Sequence, residues 1–470
     1  MLNLENVKKI YFIGIGGAGM SATAGVAKQM GFEVFGSDSK TLYDPAKSVL
    51  EQNSISYVPG YSVSNIEQAS ADLYIASSGE DLSNPEMQYL SENGINAHSF
   101  SELLASLAQD KIRVVIAGTH GKSTTTGMLG KIMQEIDNSS YMTGAVLQVD
   151  ETNFYVGNGH YFVFEGDEYK SLYDDPTPKF HQYKADILLL TNLEFDHPDI
   201  FSNLEEMQNE FRQLISDLPT DGLVVYNADS HALAQIMHES NAGQISFALH
   251  NPADFVAINI KSGTKGTSFD VQWTKQGNPQ PVIESYEVNL FGEMNVYNTL
   301  GNIALLRTLG FTQTQIQAGL EQYHGVKRRF ELIGKKNDII IYDDYAHHPT
   351  AIQETLRAAR IKYPDARIWA VFEPHTFSRT EATLEDLSKS FDSADIVLLA
   401  EIYPAREKPT TQSITSEQVL EAISKHHQNV SLVKTKDEAL LLLKAQLRPK
   451  DVVIVMAVGN FNLLAQDLML

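Results

Sequence analysis

The chain has 470 residues, of which 43% are hydrophobic and 20% charged, and a formal net charge of -23. That length exceeds one ordinary hydrophobic core and suggests about three domains, while the acidic balance argues against nucleic acid as the main partner. The absence of cysteine excludes disulfides, thiol catalysis and thiolate metal sites.

The N-terminal residues are too polar for a signal peptide, and no apolar run approaches the roughly 18–20 residues of a membrane span. The expectation is a cytoplasmic protein with no membrane partner. Short apolar runs alternate with helical patterns from end to end, which marks an α/β chain with parallel sheets. In residues 1–110, strands are expected near 9–15, 33–35 and 73–76, and the polar segment 108–111 reads as a linker. Residues 111–329 carry strands at 114–117, 161–165 and 186–190, a helix from Thr124 to Ile136, and a small β-rich insertion at about 244–290. Turn signals within that insertion are Gly263, Gly266 and Gly277-Asn278. Residues 330–470 place buried strands near 339–342, 368–372, 396–400 and 452–458. The expected architecture is a Rossmann-like N-terminal domain, a P-loop ATPase-like central domain and a Rossmann-like C-terminal domain.

Two glycine loops follow predicted strands. In the first, Gly14, Gly16 and Gly19 match G-x-G-x-x-G before a helix, a spacing that permits a tight turn and close approach of the backbone to a pyrophosphate. Asp38 ends the next strand, where a dinucleotide fold places its ribose-binding acid. These residues leave the nucleotide open, and an NAD-dependent oxidoreductase is one reading of them. The second loop is Gly118-Thr-His-Gly-Lys-Ser123, shorter than G-x-x-x-x-G-K-[ST] because Ile116 stands where the first glycine belongs. Strand, loop and helix N-terminus form a cradle of backbone N–H groups for phosphates. Lys122 is placed to reach the outer phosphates and Ser123 to face a magnesium ion. This chain is therefore expected to bind a nucleoside triphosphate.

Acids gather beside the second loop. Glu165 ends the strand at 161–165, and the strand at 186–190 runs into Glu194, Asp196 and His197. Strand-end acids next to such a loop hold magnesium directly or through water; His197 reads either as a ligand or as a structural histidine. At the second boundary, Arg328 and Arg329 are either a solvated pair or a hinge that closes on phosphate. Three further polar loops follow strands in the last block: Tyr342-Asp-Asp-Tyr-Ala-His-His-Pro349, Phe372-Glu-Pro-His-Thr-Phe-Ser-Arg379 and Glu401-Ile-Tyr-Pro-Ala-Arg-Glu-Lys408. Ligands of open α/β sheets sit outside these carboxyl ends, so the three loops together read as a site.

The ordered set Gly-Ile-Gly-Gly-Ala-Gly-Met, Gly-Thr-His-Gly-Lys-Ser-Thr-Thr, Asn-Leu-Glu-Phe-Asp-His, Gly-Val-Lys-Arg-Arg-Phe and Asp-Asp-Tyr-Ala-His-His-Pro resembles the Mur ligase family. These are the ATP-dependent amino-acid ligases of bacterial peptidoglycan synthesis, and the likeness spans essentially the whole chain. It implies that 1–110 bind a UDP-sugar, 111–329 ATP and 330–470 the incoming amino acid. The UDP-sugar site would comprise Gly14, Gly16, Gly17, Gly19, Met20, Ser37, Asp38, Ser77 and Ser78. The ATP site would comprise Gly118, Thr119, His120, Gly121, Lys122, Ser123 and Thr124, with Asn295 and Asn298 at the adenine, Arg329 at phosphate and Asp344 at ribose. Ser123 and Glu165 would hold one Mg2+ and His197 a second. His347 and Arg379 would orient the amino acid and the reacting carboxyl group, with Arg406 as a further candidate.

The implied reaction activates the lactyl carboxylate of UDP-N-acetylmuramate as an acyl phosphate, with Lys122, Glu165, His197, His347 and Arg379 as the catalytic set. Two departures stand out: Met294 where a His usually precedes the first Asn, and Thr376 where alanine-adding members carry a second arginine. Residues 165–201 resemble members that attach the tripeptide L-Ala-γ-D-Glu-meso-diaminopimelate in cell-wall recycling, whereas 373–380 and 402–409 resemble members that attach L-alanine. Because the amine binds mainly to the third domain, L-alanine leads. The expected partners are small-molecule substrates only, with the chain a monomer or homodimer.

Overall fold

The computed structural model describes residues 1–39, 41–42, 44–196, 200–274, 280–405 and 407–470. Three sheets follow one another along the chain. The first has five parallel strands in the order Ser56–Pro59, Glu33–Asp38, Lys9–Ile13, Leu73–Ala76 and Ala97–His98. The central sheet has ten strands, and Ile112–Ala117 lies between Ile187–Leu190 and Tyr161–Glu165, parallel to both. The third sheet has six, with Val452–Met456 flanked in parallel by Ile339–Asp344 and Ile368–Phe372.

Strands covered on both faces should be apolar without alternation, and these are. Val114 to Ala117, Leu188 to Leu190 and Val452 to Met456 are all fully buried. The first sheet's core is continuous with one face of the central sheet: Ile10, Phe12 and Met20 share a cluster with Val115, Phe154 and Leu188. Gly25 makes this docking possible, since a Cβ there would lie 2.4 Å from the Phe154 ring. Truncating a buried phenylalanine of this kind costs about 3–5 kcal/mol. Among the described residues no helix is long and apolar enough to cross a membrane.

The structure adjusts several expected boundaries. The first strand stops at Ile13, because Gly14 turns the chain with φ +76°. The phosphate-loop helix begins at Lys122, two residues before the expected Thr124, and runs to Asp137. The β-rich insertion extends the central sheet. Its first strand, Gly243–Ala248, pairs in parallel with Leu223–Asn227, and Phe255–Gly263, Gly266–Thr274 and Pro281–Val288 continue the same sheet. The turn at Gly263–Gly266 forms as expected; Gly277-Asn278 lies outside the described residues. The last strand ends at Met456 instead of 458.

Candidate active site

The second glycine loop takes its shape from the strand end beside it. Thr119 N–H donates to the Asn192 carbonyl at 3.1 Å, and His120 N–H to the Asn192 side chain at 2.8 Å. The Thr191 hydroxyl donates back to the His120 carbonyl at 2.7 Å. Gly118 (φ +136°) and Gly121 (φ +82°) sit where an L side chain is strained. A Cβ at Gly118 would also fall 2.2 Å from Thr191 Oγ1, and one at Gly121 would fall 2.3 Å from Asn298 Oδ1. No side chain caps the helix that starts at Lys122, so its first-turn N–H groups face the loop and suit an anion.

Lys122 Nζ donates to the Gly118 carbonyl at 2.6 Å and to the buried Glu168 carboxylate at 3.0 Å. Burial disfavours the ammonium, but Glu168 outweighs it and pushes the Lys122 pKa up, so the cation is retained. Glu165 is held by three donors: the Ser123 hydroxyl at 2.8 Å, the Thr143 hydroxyl at 2.9 Å and Gly144 N–H at 2.6 Å. A carboxylate and two hydroxyls form an oxygen-only donor set, which suits a hard cation such as Mg2+. His197, expected to hold a second Mg2+, lies outside the described residues.

A cavity of about 540 Å³ opens beside the loop, lined by His120, Asn298, Met294, Tyr297, Asp229 and Glu354 among others; it is of a size to hold a nucleoside. Asn298 Nδ2 donates to Asn295 Oδ1 at 3.2 Å, and Asn295 Nδ2 to the Phe291 carbonyl at 2.8 Å. Only Asn298 of that pair lines the cavity. Asp344, expected at ribose, is buried and accepts Phe330 N–H at 2.6 Å and Ala346 N–H at 2.7 Å. Burial pushes its carboxyl up against the pull of Arg329. Its role in this conformation is to pin the hinge to the loop that carries the histidines. The Arg329 guanidinium rests 5.3 Å from the centre of the Tyr345 ring.

The C-terminal loops meet the phosphate loop across the domain boundary. Arg379 Nε donates to Asp196 Oδ1 at 2.9 Å, with both side chains about 95% buried. The same guanidinium contacts His375 Nδ1 at 2.7 Å; since Arg only donates, that nitrogen is the acceptor. His347 Nδ1 lies 2.8 Å from the Tyr345 carbonyl and must donate to it, which leaves Nε2 as the acceptor. Burial, assisted by Arg379, drives the His347 pKa well down, so the ring is neutral. Arg406 lies outside the described residues.

At the first loop, Gly14 N–H and Ile15 N–H both donate to the Ser37 carbonyl at 3.0 Å. Asp38 accepts Gly16 N–H at 2.9 Å and so braces the loop itself. Ser77 lies against Gly14, where an added Cβ would come within 3.0 Å of the Ser77 Cβ; Ser78 is half-buried beside it. Met20 is buried in the core, and Ser37 is fully buried with its hydroxyl donating to Glu86 at 2.5 Å. The sequence reading missed Glu168, Thr143 and His375 as partners of expected site residues. His375 lies inside a quoted motif and Glu168 within the segment 165–201, whereas nothing near Thr143 signals a role.

The chain is similar to known proteins in sequence and fold. Residues 9–112 match the model described as "Mur ligase family, catalytic domain", residues 116–306 "Mur ligase middle domain" and residues 328–459 "Mur ligase, glutamate ligase domain". The chain belongs to the Mur ligase family. A UDP-N-acetylmuramate–L-alanine ligase of Clostridium acetobutylicum is 35% identical over 96% of this chain and 95% of its own length. One from Desulfitobacterium hafniense is 33% identical over 98% and 99%. Among solved Mur ligases, the murein peptide ligase of Psychrobacter arcticus superimposes with a TM-score of 0.73 at 27% identity. The UDP-N-acetylmuramate-alanine ligase of Thermotoga maritima has the same fold, with a TM-score of 0.79 at 22% identity. Each covers 98% of both chains.

Proposed function

We propose that this Mur ligase joins L-alanine to the lactyl carboxylate of UDP-N-acetylmuramate at the expense of ATP, forming an amide, ADP and phosphate. The observation that carries this reading is the buried Asp196–Arg379 ion pair, which joins a C-terminal-domain loop to the strand-end segment that braces the phosphate loop. Residues 1–110 hold the UDP-sugar, 111–329 ATP and 330–470 the amine.

Phosphoryl transfer depends on positioning and charge neutralisation. Lys122 exchanges its Gly118 and Glu168 contacts for the outer phosphates, and the Gly121–Thr124 N–H groups cradle them. Ser123 and Glu165 would hold one Mg2+ and His197 a second, and these ions would neutralise phosphate charge when bound. The carboxylate oxygen attacks the γ-phosphorus and ADP leaves. The amine nitrogen then attacks the acyl carbon, the C–O bond to phosphate breaks, and the nitrogen gives up its proton. Arg379 orients the carboxyl groups, and the neutral His347 accepts a hydrogen bond from the amine at Nε2. Water is kept out because the acyl phosphate would otherwise hydrolyse.

A second reading, attachment of the tripeptide, is favoured by residues 165–201 and by the likeness to the murein peptide ligase. Phosphate release from UDP-N-acetylmuramate and ATP, with L-Ala, L-Ser, Gly or the tripeptide offered separately, decides between them. Turnover is expected with L-Ala; turnover with the tripeptide alone overturns the assignment.

A further inference from the structure

Outside the oxygen-lined Glu165 site, three other metal-ligating side chains converge. His120, Glu194 and His348 each place a ligand atom within 4.8 Å of the other two. His120 and Glu194 come from the central domain, and His348 caps the helix Pro349–Lys362 of the C-terminal domain. We infer that these three side chains bind a divalent transition metal ion, of the zinc or cobalt class, across the interdomain cleft.

Two ligands are pre-set. The His120 backbone is clamped by Thr191 and Asn192, while the Thr119 hydroxyl donates to the Glu194 carbonyl at 3.0 Å and accepts Glu194 N–H at 2.9 Å. His120 Nε2 and Glu194 Oε2 are consequently 3.3 Å apart, close to the edge of a tetrahedron built on bonds of about 2.0–2.2 Å. The same carboxylate oxygen accepts the Thr350 hydroxyl at 2.9 Å, which orients it from the other domain in the way that supporting hydrogen bonds fix metal ligands.

The third ligand supplies an independent sign. His348 is about 92% buried, and its Nδ1 has no hydrogen-bond partner. Its ring centre is 4.6 Å from that of His120. A buried, unpartnered ring nitrogen is unfavourable, and coordination through Nδ1 would satisfy it. Two imidazoles and one carboxylate suit zinc, cobalt or nickel, whereas magnesium takes oxygen ligands. Three protein ligands leave a position for water or phosphate, and the ion would tie the two domains together.

The test is calorimetric titration of the full chain with Zn2+ in saturating Mg2+ and without nucleotide, repeated with Co2+ to record its visible absorption band. Wild type and Glu165→Gln are expected to bind one tight ion. His348→Gln and Glu194→Gln should each weaken it by at least about tenfold, the scale of losing even a supporting ligand contact, and abolish the cobalt band. Should His348→Gln fail to fold, Glu194→Gln carries the test alone. Absence of a tight Zn2+ ion in wild type overturns the proposal. So does a site lost in Glu165→Gln but kept in the Glu194 and His348 variants.

Discussion

The two glycine loops share a plan, strand then turn then uncapped helix, yet they are furnished differently. Around Gly14–Gly19 the contacts are inward: Asp38 braces Gly16, and Ser37 is sealed against Glu86. Around Gly118–Ser123 the groups are ionic and convergent, with Lys122 on Glu168, Ser123 on Glu165 and His120 on Glu194. Backbone amides suffice to seat a pyrophosphate that only has to be held. A phosphoryl group that has to move needs a cation, a metal site and acids to position them. The motif alone would class both loops as nucleotide sites; the charged surroundings separate binding from chemistry.

Substitutions can break that contrast. Lys122→Ala should lower kcat for ADP formation by about 10²–10³-fold or more, while UDP-N-acetylmuramate binding, followed by calorimetry, stays within about threefold of wild type. Equal loss at both sites would erase the distinction. Glu165→Gln should raise the Mg2+ concentration needed for half-maximal phosphate release by about 10–100-fold. Gly16→Ala is the mirror experiment. Its new Cβ would lie 2.2 Å from Leu42 Cδ2 and 2.7 Å from the Asp38 carboxylate, so UDP-sugar affinity should fall about tenfold, or about 1.4 kcal/mol, with ATP affinity unchanged.

The smallest effect asks whether the amine side belongs with the charged loop. Glu373 is buried beside Gly459 N–H, and burial pushes its carboxyl up to about 7. The folded chain therefore binds more protons than the unfolded chain between about pH 4.5 and 7, and stability falls as pH rises through that window. Above pH 7 the penalty is fully present, so Glu373→Gln should stabilise the protein by about 1–2 kcal/mol at pH 8 and by nothing at pH 4. Denaturant melts at the two pH values check this. A pH-independent difference would show that Glu373 remains ionised.

Much of the architecture was legible because parallel strands buried on both faces leave unbroken apolar runs such as Val114–Val115–Ile116–Ala117 and Val452–Val453–Ile454–Val455–Met456. The glycine loops were legible because their backbone geometry restricts side chains: Gly118 and Gly121 leave no room for a Cβ. What escaped were contacts made between segments distant in sequence. Arg379 and Asp196 are 183 residues apart, and no local pattern announces that they meet. Asp344 is legible as an acid at a strand end, but its contacts with Phe330 N–H and Ala346 N–H are not. The insertion was legible as β-rich, but not its continuity with the central sheet, because its strands read alike whether they stand alone or extend a larger sheet.

The most direct measurement labels both lactyl carboxylate oxygens of UDP-N-acetylmuramate with 18O and follows the inorganic phosphate released with ATP and L-alanine. Activation as an acyl phosphate on the Lys122 side of the cleft predicts one labelled oxygen transferred to each phosphate, with the remaining one in the amide carbonyl. Amide formed with unlabelled phosphate would contradict that account.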